Sequence, residues 1–157
     1  MSMTPLKRLA LPAMVVIASG CGESLGPTDY VGSYMLRTVN AASLPSTVAA
    51  QPAGCTWEFA HGSLILGDGA FTLFLHGTTG CPGQTYMSGV PGMMGGGLST
   101  SGEAIELIAV DPTSPSAVTM RMTAHLDGFH VRVRFPAGAM HLGESAEMVF
   151  GPRQTTP

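Results

Sequence analysis

The chain has 157 residues, 45% of them hydrophobic and only 11% charged, with 21 glycines, 12 prolines and three cysteines. Such a length fits one domain, and so apolar and weakly charged a chain is not a disordered polyelectrolyte. A formal charge of −3 argues against a protein that binds nucleic acid by neutralising phosphates, and abundant glycine and proline argue against a helical bundle.

The first residues read as an address. Lys7 and Arg8 stand without an acid nearby, and Leu9–Ala18 is an apolar run. At about ten residues it has the size of a signal-peptide core and is too short to span a bilayer. Ala18, Ser19 and Gly20 then lead into Cys21. This arrangement resembles the signal of bacterial lipoproteins. The resemblance implies that residues 1–20 are removed and that Cys21 is acylated, palmitate included, and anchors the chain in the lipid bilayer. Gly22, where an aspartate would signal inner-membrane retention, implies the outer membrane, with the domain facing the periplasm. Without residues 1–20, five arginines stand against ten acids, a formal charge of −5. No polybasic patch remains, so acylation is the one membrane anchor on offer. Two or three acyl chains hold stably where one is marginal. Residues 21–29 form a tether, and Gly22–Asp29 fully extended reaches at most about 27–29 Å.

Residues 30–152 read as one antiparallel β domain. Val31–Val39 is the first strand candidate, with Tyr34 and Leu36 on one face. Cys55–Ala60 follows, carrying Trp57 and Phe59 beside Cys55. An exported chain is expected to pair its two remaining cysteines, Cys55 with Cys81, two free buried thiols being the alternative. Ser63–Gly67, Asp68-Gly69 and Ala70–His76 form a hairpin. Asp-Gly between alternating apolar residues is a preferred two-residue turn; it sets Leu66 opposite Phe71 and Leu64 opposite Leu73, with Leu75 continuing that face. Gln84–Ser88 and Leu98–Ser101 are shorter candidates, and Gly89–Gly97 between them reads as a flexible loop tipped by Met93 and Met94. Ala104–Val110 is a strand, and residues 111–116 a loop. A second hairpin spans Ala117–Leu126, Asp127-Gly128 and Phe129–Phe135. Its expected register opposes His125 to His130, Arg121 to Arg134 and Thr123 to Arg132. Met120, Met122, Ala124 and Leu126 then share a face with Phe129, Val131, Val133 and Phe135. Alternation with period two marks one buried and one wet face. Ala146–Phe150 closes the domain, and residues 153–157 are a frayed tail. The fold class expected from this rhythm is all-β, an antiparallel up-and-down barrel of about eight strands or, alternatively, a β-sandwich.

Tyr34-Met-Leu-Arg-Thr-Val-Asn40, Leu44-Pro45, Cys55, Gly62-Ser-Leu-Ile-Leu-Gly-Asp-Gly-Ala-Phe-Thr-Leu73 and Cys81 together resemble a class of small bacterial lipoproteins with a lipocalin-like β-barrel domain. The resemblance covers roughly residues 30–81. It implies a fold, an envelope location and a ligand cavity, and it brings no catalytic residue. Ala41 stands where that pattern has glycine after the asparagine.

Chemistry-bearing motifs are few. There is no His-Glu-x-x-His, no Cys-x-x-Cys and no phosphate loop ending in Gly-Lys-Ser/Thr, so a non-enzymatic protein without cofactor or bound metal is expected. Neither Cys55 nor Cys81 has a ligand-spaced partner for zinc. Three constellations carry functional readings. Arg121, Arg132, Arg134, His125 and His130 share one outer face and could hold an anion, binding that would weaken above pH about 6.5 as histidines lose charge; neutralisation by Glu58, Glu103 or Glu106 is the plainer reading. Met93 and Met94 could form an apolar lid over a barrel mouth, since barrels of about eight strands can hold one small ligand. Thioethers also suit Cu(I) in an oxidising compartment, although core methionines such as Met120 and Met122 are ordinary gap-fillers. The leading expectation is a membrane-anchored module binding a small apolar or amphipathic ligand. The alternatives are a structural or protein-interaction lipoprotein with a filled core, and a copper-handling lipoprotein.

Overall fold

A computed structural model describes residues 30–84, 87–88, 92–111 and 114–152. The signal, the tether with Cys21, and the tail at 153–157 lie outside these residues, as do Gly89–Pro91 of the expected loop. The strands are β1 (Gly32–Val39), β2 (Ala42–Ser43), β3 (Ser46–Ala50), β4 (Cys55–Leu66), β5 (Ala70–Gly80), β6 (Met87–Ser88), β7 (Gly92–Ser101), β8 (Ala104–Asp111), β9 (Ser114–Asp127), β10 (His130–Phe135) and β11 (Ala146–Pro152). The one helical element among the described residues is a 3-10 turn at Ala139–His141.

Each neighbour in the order β1-β11-β10-β9-β8-β7-β5-β4 is hydrogen-bonded to the next, and β1 also pairs with β4. The sheet is therefore a closed eight-stranded antiparallel barrel, and closure removes the edges that an open sandwich would expose. Strand β6 adds to β5, while β2 and β3 lie outside the closed circuit.

Closure depends on a bulge in β4. Phe59 pairs with Gly77 and His61 with His76, which leaves Ala60 as an extra residue. Before the bulge Cys55, Trp57 and Phe59 are buried; after it Gly62, Leu64 and Leu66 are. A regular strand cannot bury odd positions and then even ones, so the bulge resets the phase and bends the strand. Its first half then pairs with β3 and its second half with β1. Two elements that read separately in the sequence, Cys55–Ala60 and the hairpin strand from Ser63, are thus one strand.

The glycine-rich segment is the main correction. Gly92–Ser101 is a wall strand between β5 and β8, not a loop. A Cβ on Gly96 would collide with the Ile108 carbonyl, and one on Gly95 would sit 3.2 Å from the Phe71 carbonyl. Glycines here let neighbouring backbones close in. Met93 and Met94 consequently stand in the wall rather than over a mouth.

The first hairpin has the expected pairs, Leu66 with Phe71 and Leu64 with Leu73. The second is offset by two residues: His130 pairs with Asp127, Val131 with Leu126, Arg132 with His125 and Arg134 with Thr123. The turn is Gly128-Phe129, with Gly128 at φ 59°, so Phe129, expected on the inner face opposite Leu126, instead stands exposed in the turn. A shift of two keeps every side chain on its face, so burial does not discriminate between the registers. Asp127 is gained by the ladder and meets Arg132, and the like-charge oppositions of the expected register disappear.

The inner face is continuous. Leu64, Leu66, Leu73, Leu75, Ile105, Leu107, Ala124, Val131, Val133, Phe135, Met148 and Phe150 are all at most 1% exposed. Cys55 and Cys81 form a disulfide (S–S 2.03 Å). It lies directly beyond the Thr56–Gly80 pair and ties the ends of β4 and β5.

The two ends of the barrel differ. One carries the tight hairpins β4–β5, β7–β8 and β9–β10 and the start of β1; we call it the hairpin end. The distal end carries the disulfide, the β1–β2 turn, β3 and the connection from β10 to β11. There Gln51 N–H donates to the His141 carbonyl (2.6 Å) and Gly143 N–H to the Ala49 carbonyl (2.9 Å), joining β3 to the 3-10 turn.

Candidate functional site

The expected cationic face exists and is largely neutralised by its own acids. Alternation on β9, β10 and β11 turns Thr123, His125, Arg132, Arg134 and Glu147 outward, and these five line a shallow cleft of about 310 Å³. A second cleft of about 350 Å³ shares Arg132 and Glu147 and adds Arg37, Asp127 and His130. Arg132 is the hub: its Nη2 is 2.9 Å from Asp127 Oδ2 and its Nη1 is 3.2 Å from Glu147 Oε1. The hydrogen bond to Asp127, then the charge of that carboxylate, with Glu147 adding to both, hold the Arg132 proton more firmly than usual. Arg121 lies apart and pairs with Glu106 at 2.7 Å. These side chains are 45–60% exposed, so each pair is worth at most about 1 kcal/mol. Arg134 has no carboxylate within ion-pair distance among the described residues.

Four of the five anticipated residues therefore meet around Glu147, and Arg121 does not. His125 faces Arg132 rather than His130. Glu147, Asp127 and Arg37 complete the cluster and were not anticipated. Glu147 was legible, because Ala146 and Met148 on either side point inward. Arg37 was not: it is the extra residue of a bulge where Leu36 pairs with Phe150 and Thr38 with Val149. Its Nη2 donates to the Pro152 carbonyl at 2.9 Å. Any Cβ on Gly151 would sit 2.9 Å from Arg37 Nε and 3.3 Å from His130, so glycine there lets the guanidinium lie across the strand.

The barrel interior is packed. A cavity able to hold a ligand would leave reachable surface on its lining, and Leu64, Leu73, Leu75, Leu107, Val131, Val133, Phe135, Met148 and Phe150 have none. Met94 packs against this core, while Met93 is 75% exposed on the outer wall. Adjacent strand residues point to opposite faces, so these two thioethers do not converge on one metal ion. Among the described residues no group of three or more His, Cys, Asp or Glu could hold a metal.

A distal-end groove of about 490 Å³ is lined by residues 49–54 with Gly143 and Glu144. Its walls are mostly alanine, proline and glycine, with Gln51 and Glu144 as polar groups. Elsewhere, His61 and His76 stack across β4 and β5 with ring centroids 4.4 Å apart; His76 Nδ1 and Trp57 Nε1 are buried without a hydrogen-bond partner.

Gly22-Glu23-Ser24-Leu25-Gly26 spells Gly-x-Ser-x-Gly. That motif acts from a strand-to-helix turn; this stretch directly follows Cys21 and lies outside the described residues. No family model, curated protein or solved structure matches the chain.

Proposed function

We propose that this chain is a non-enzymatic, lipid-anchored protein of the bacterial envelope, whose filled barrel serves as a rigid scaffold presenting its outer surfaces. The observation that carries the scaffold reading is the inner face, where large apolar side chains leave no surface for a guest. Of the alternatives drawn from the sequence, the filled-core lipoprotein fits this best. The anchor reading is supported by the apolar run ending in Ala18-Ser19-Gly20-Cys21. The Cys55–Cys81 disulfide suits an oxidising compartment such as the periplasm. Gly22 after Cys21 favours the outer membrane, with the domain facing the periplasm.

Native mass spectrometry of the chain purified from its own envelope tests this reading. The expected mass is the polypeptide from Cys21 onward plus its acyl groups and nothing else. A stoichiometric small molecule would overturn the scaffold reading. Metabolic labelling with a palmitate analogue tests the anchor: label is expected on the wild-type chain and lost in Cys21→Ser.

A second reading is favoured by one observation. The distal groove, at about 490 Å³, lies within the size range of small-ligand sites. An amphipathic molecule held there would meet small apolar walls and the Gln51 and Glu144 side chains, without opening the barrel.

A further inference from the structure

We infer that the hairpin end of the barrel rests on the lipid surface, with Phe129, Val31 and Ile65 entering the headgroup region. This rests on the lipid-anchor reading and adds an orientation and a contact to it. Five large apolar side chains are exposed among the described residues: Val31 (46%), Ile65 (50%), Met93, Val118 and Phe129 (83%). Three of them belong to the hairpin end. Val31 and Phe129 line one cleft of about 220 Å³. Ile65 pairs with Ser33, two residues on from Val31. Phe129 sits at the tip of the β9–β10 turn, a place that demands no large apolar residue. An exposed aromatic tip beside aliphatic neighbours is the kind of surface that lipid headgroup regions accept.

The tether singles out the lipid as occupant. The chain enters the barrel at Tyr30, at this same end, nine residues after Cys21. Nine residue steps reach at most about 30–32 Å. A strand as long as β4, with 12 residues, rises about 30 Å along a barrel axis when tilted as eight-stranded barrels require. With Cys21 in the bilayer, the distal end could meet the surface only with the whole leash stretched flat along the barrel wall, so the hairpin end is kept near the surface and the distal groove points away. The turns at this end also carry Asp68 and Glu103, and Asp127 is already paired with Arg132, so the matching surface is zwitterionic rather than anionic.

The test uses the acylated chain bound to phosphatidylcholine vesicles containing brominated acyl chains, which quench nearby tryptophan. Trp57 is 5% exposed at the distal half of β4 and supplies an internal reference. Phe129→Trp and Val31→Trp are expected to lose at least about half of their added emission, whereas Val118→Trp, near the distal end of β9, keeps it. Replacing phosphatidylcholine with phosphatidylglycerol is expected to weaken the quenching. Flotation with the vesicles but no quenching at Phe129→Trp and Val31→Trp, or equal quenching at all three positions, would overturn the orientation while leaving the anchor intact. A chain that does not float with the vesicles would overturn both.

Discussion

Removing the Cys55–Cys81 disulfide is expected to destabilise the barrel substantially. The replacement Cys55→Ala with Cys81→Ala leaves neither bridge cysteine free to mispair and little side-chain volume to fill. The bridge closes a loop of 26 residues. In the chain-entropy model, releasing such a loop favours the unfolded state by about 3.5 kcal/mol, a factor of roughly 400 in the folding equilibrium. Domains of this size have total stabilities of about 5–15 kcal/mol, so the loss is a large share. For about 120 ordered residues it corresponds to a fall in Tm of about 14 °C. The native structure adds a local effect. The bridge sits at the start of β4, before its bulge and outside the closed circuit, where the strand pairs with β3; this end is expected to fray first and to lose amide-exchange protection before the rest. Urea unfolding followed by far-ultraviolet circular dichroism reads the global change, while Trp57, the single tryptophan, buried and stacked on Phe59 at 4.9 Å, reports the fraying end. A loss below about 1 kcal/mol with an unchanged denaturant slope would refute the reasoning and mean that the ladder alone fixes the ends of β4 and β5.

Two further substitutions probe particular positions. Asn40 and Ala41 both have positive φ, 50° and 64°, as a primed hairpin turn requires. Asn40 is held there by Glu147, whose N–H donates to Asn40 Oδ1 at 2.9 Å, but Ala41 gains nothing from the left-handed conformation. Ala41→Gly is expected to raise stability by about 0.5–1 kcal/mol, seen as a higher urea midpoint. Tyr34 donates its hydroxyl to the Tyr30 carbonyl at 2.8 Å, and burial pushes its pKa above 10. A raised folded-state pKa means that stability is complete below pH about 10 and declines as pH rises through the folded value. Tyr34→Phe is expected to lose about 1 kcal/mol near neutral pH and to flatten that alkaline decline; an unchanged alkaline limb in an unfolding series from pH 8 to 11 would count against it.

Sequence alternation alone settled which faces are buried. Leu64, Leu66, Phe71, Leu73 and Leu75 share one side, and Val131, Val133 and Phe135 share it too, because period two is a local property written in the residues themselves. The turn at Asp68-Gly69 and the outward His/Arg face came from equally local signals, and the cysteine pair from the count left in an exported chain. Tertiary structure decided the rest, for reasons that local patterns do not carry. A register shift of two preserves every face, so alternation could not choose between His125 opposite His130 and His125 opposite Arg132; the ladder chose, and with it which arginine meets Asp127 and Glu147. Glycines have no side chain to alternate, so Gly92–Gly97 looked like a loop until the close approach of β5 and β8 made it a strand. Closure through β1 and β4 joins residues about thirty apart in sequence and needs the Ala60 bulge to bring them together. Whether the barrel is hollow or filled was likewise beyond the sequence, since it depends on how inner side chains from eight strands meet.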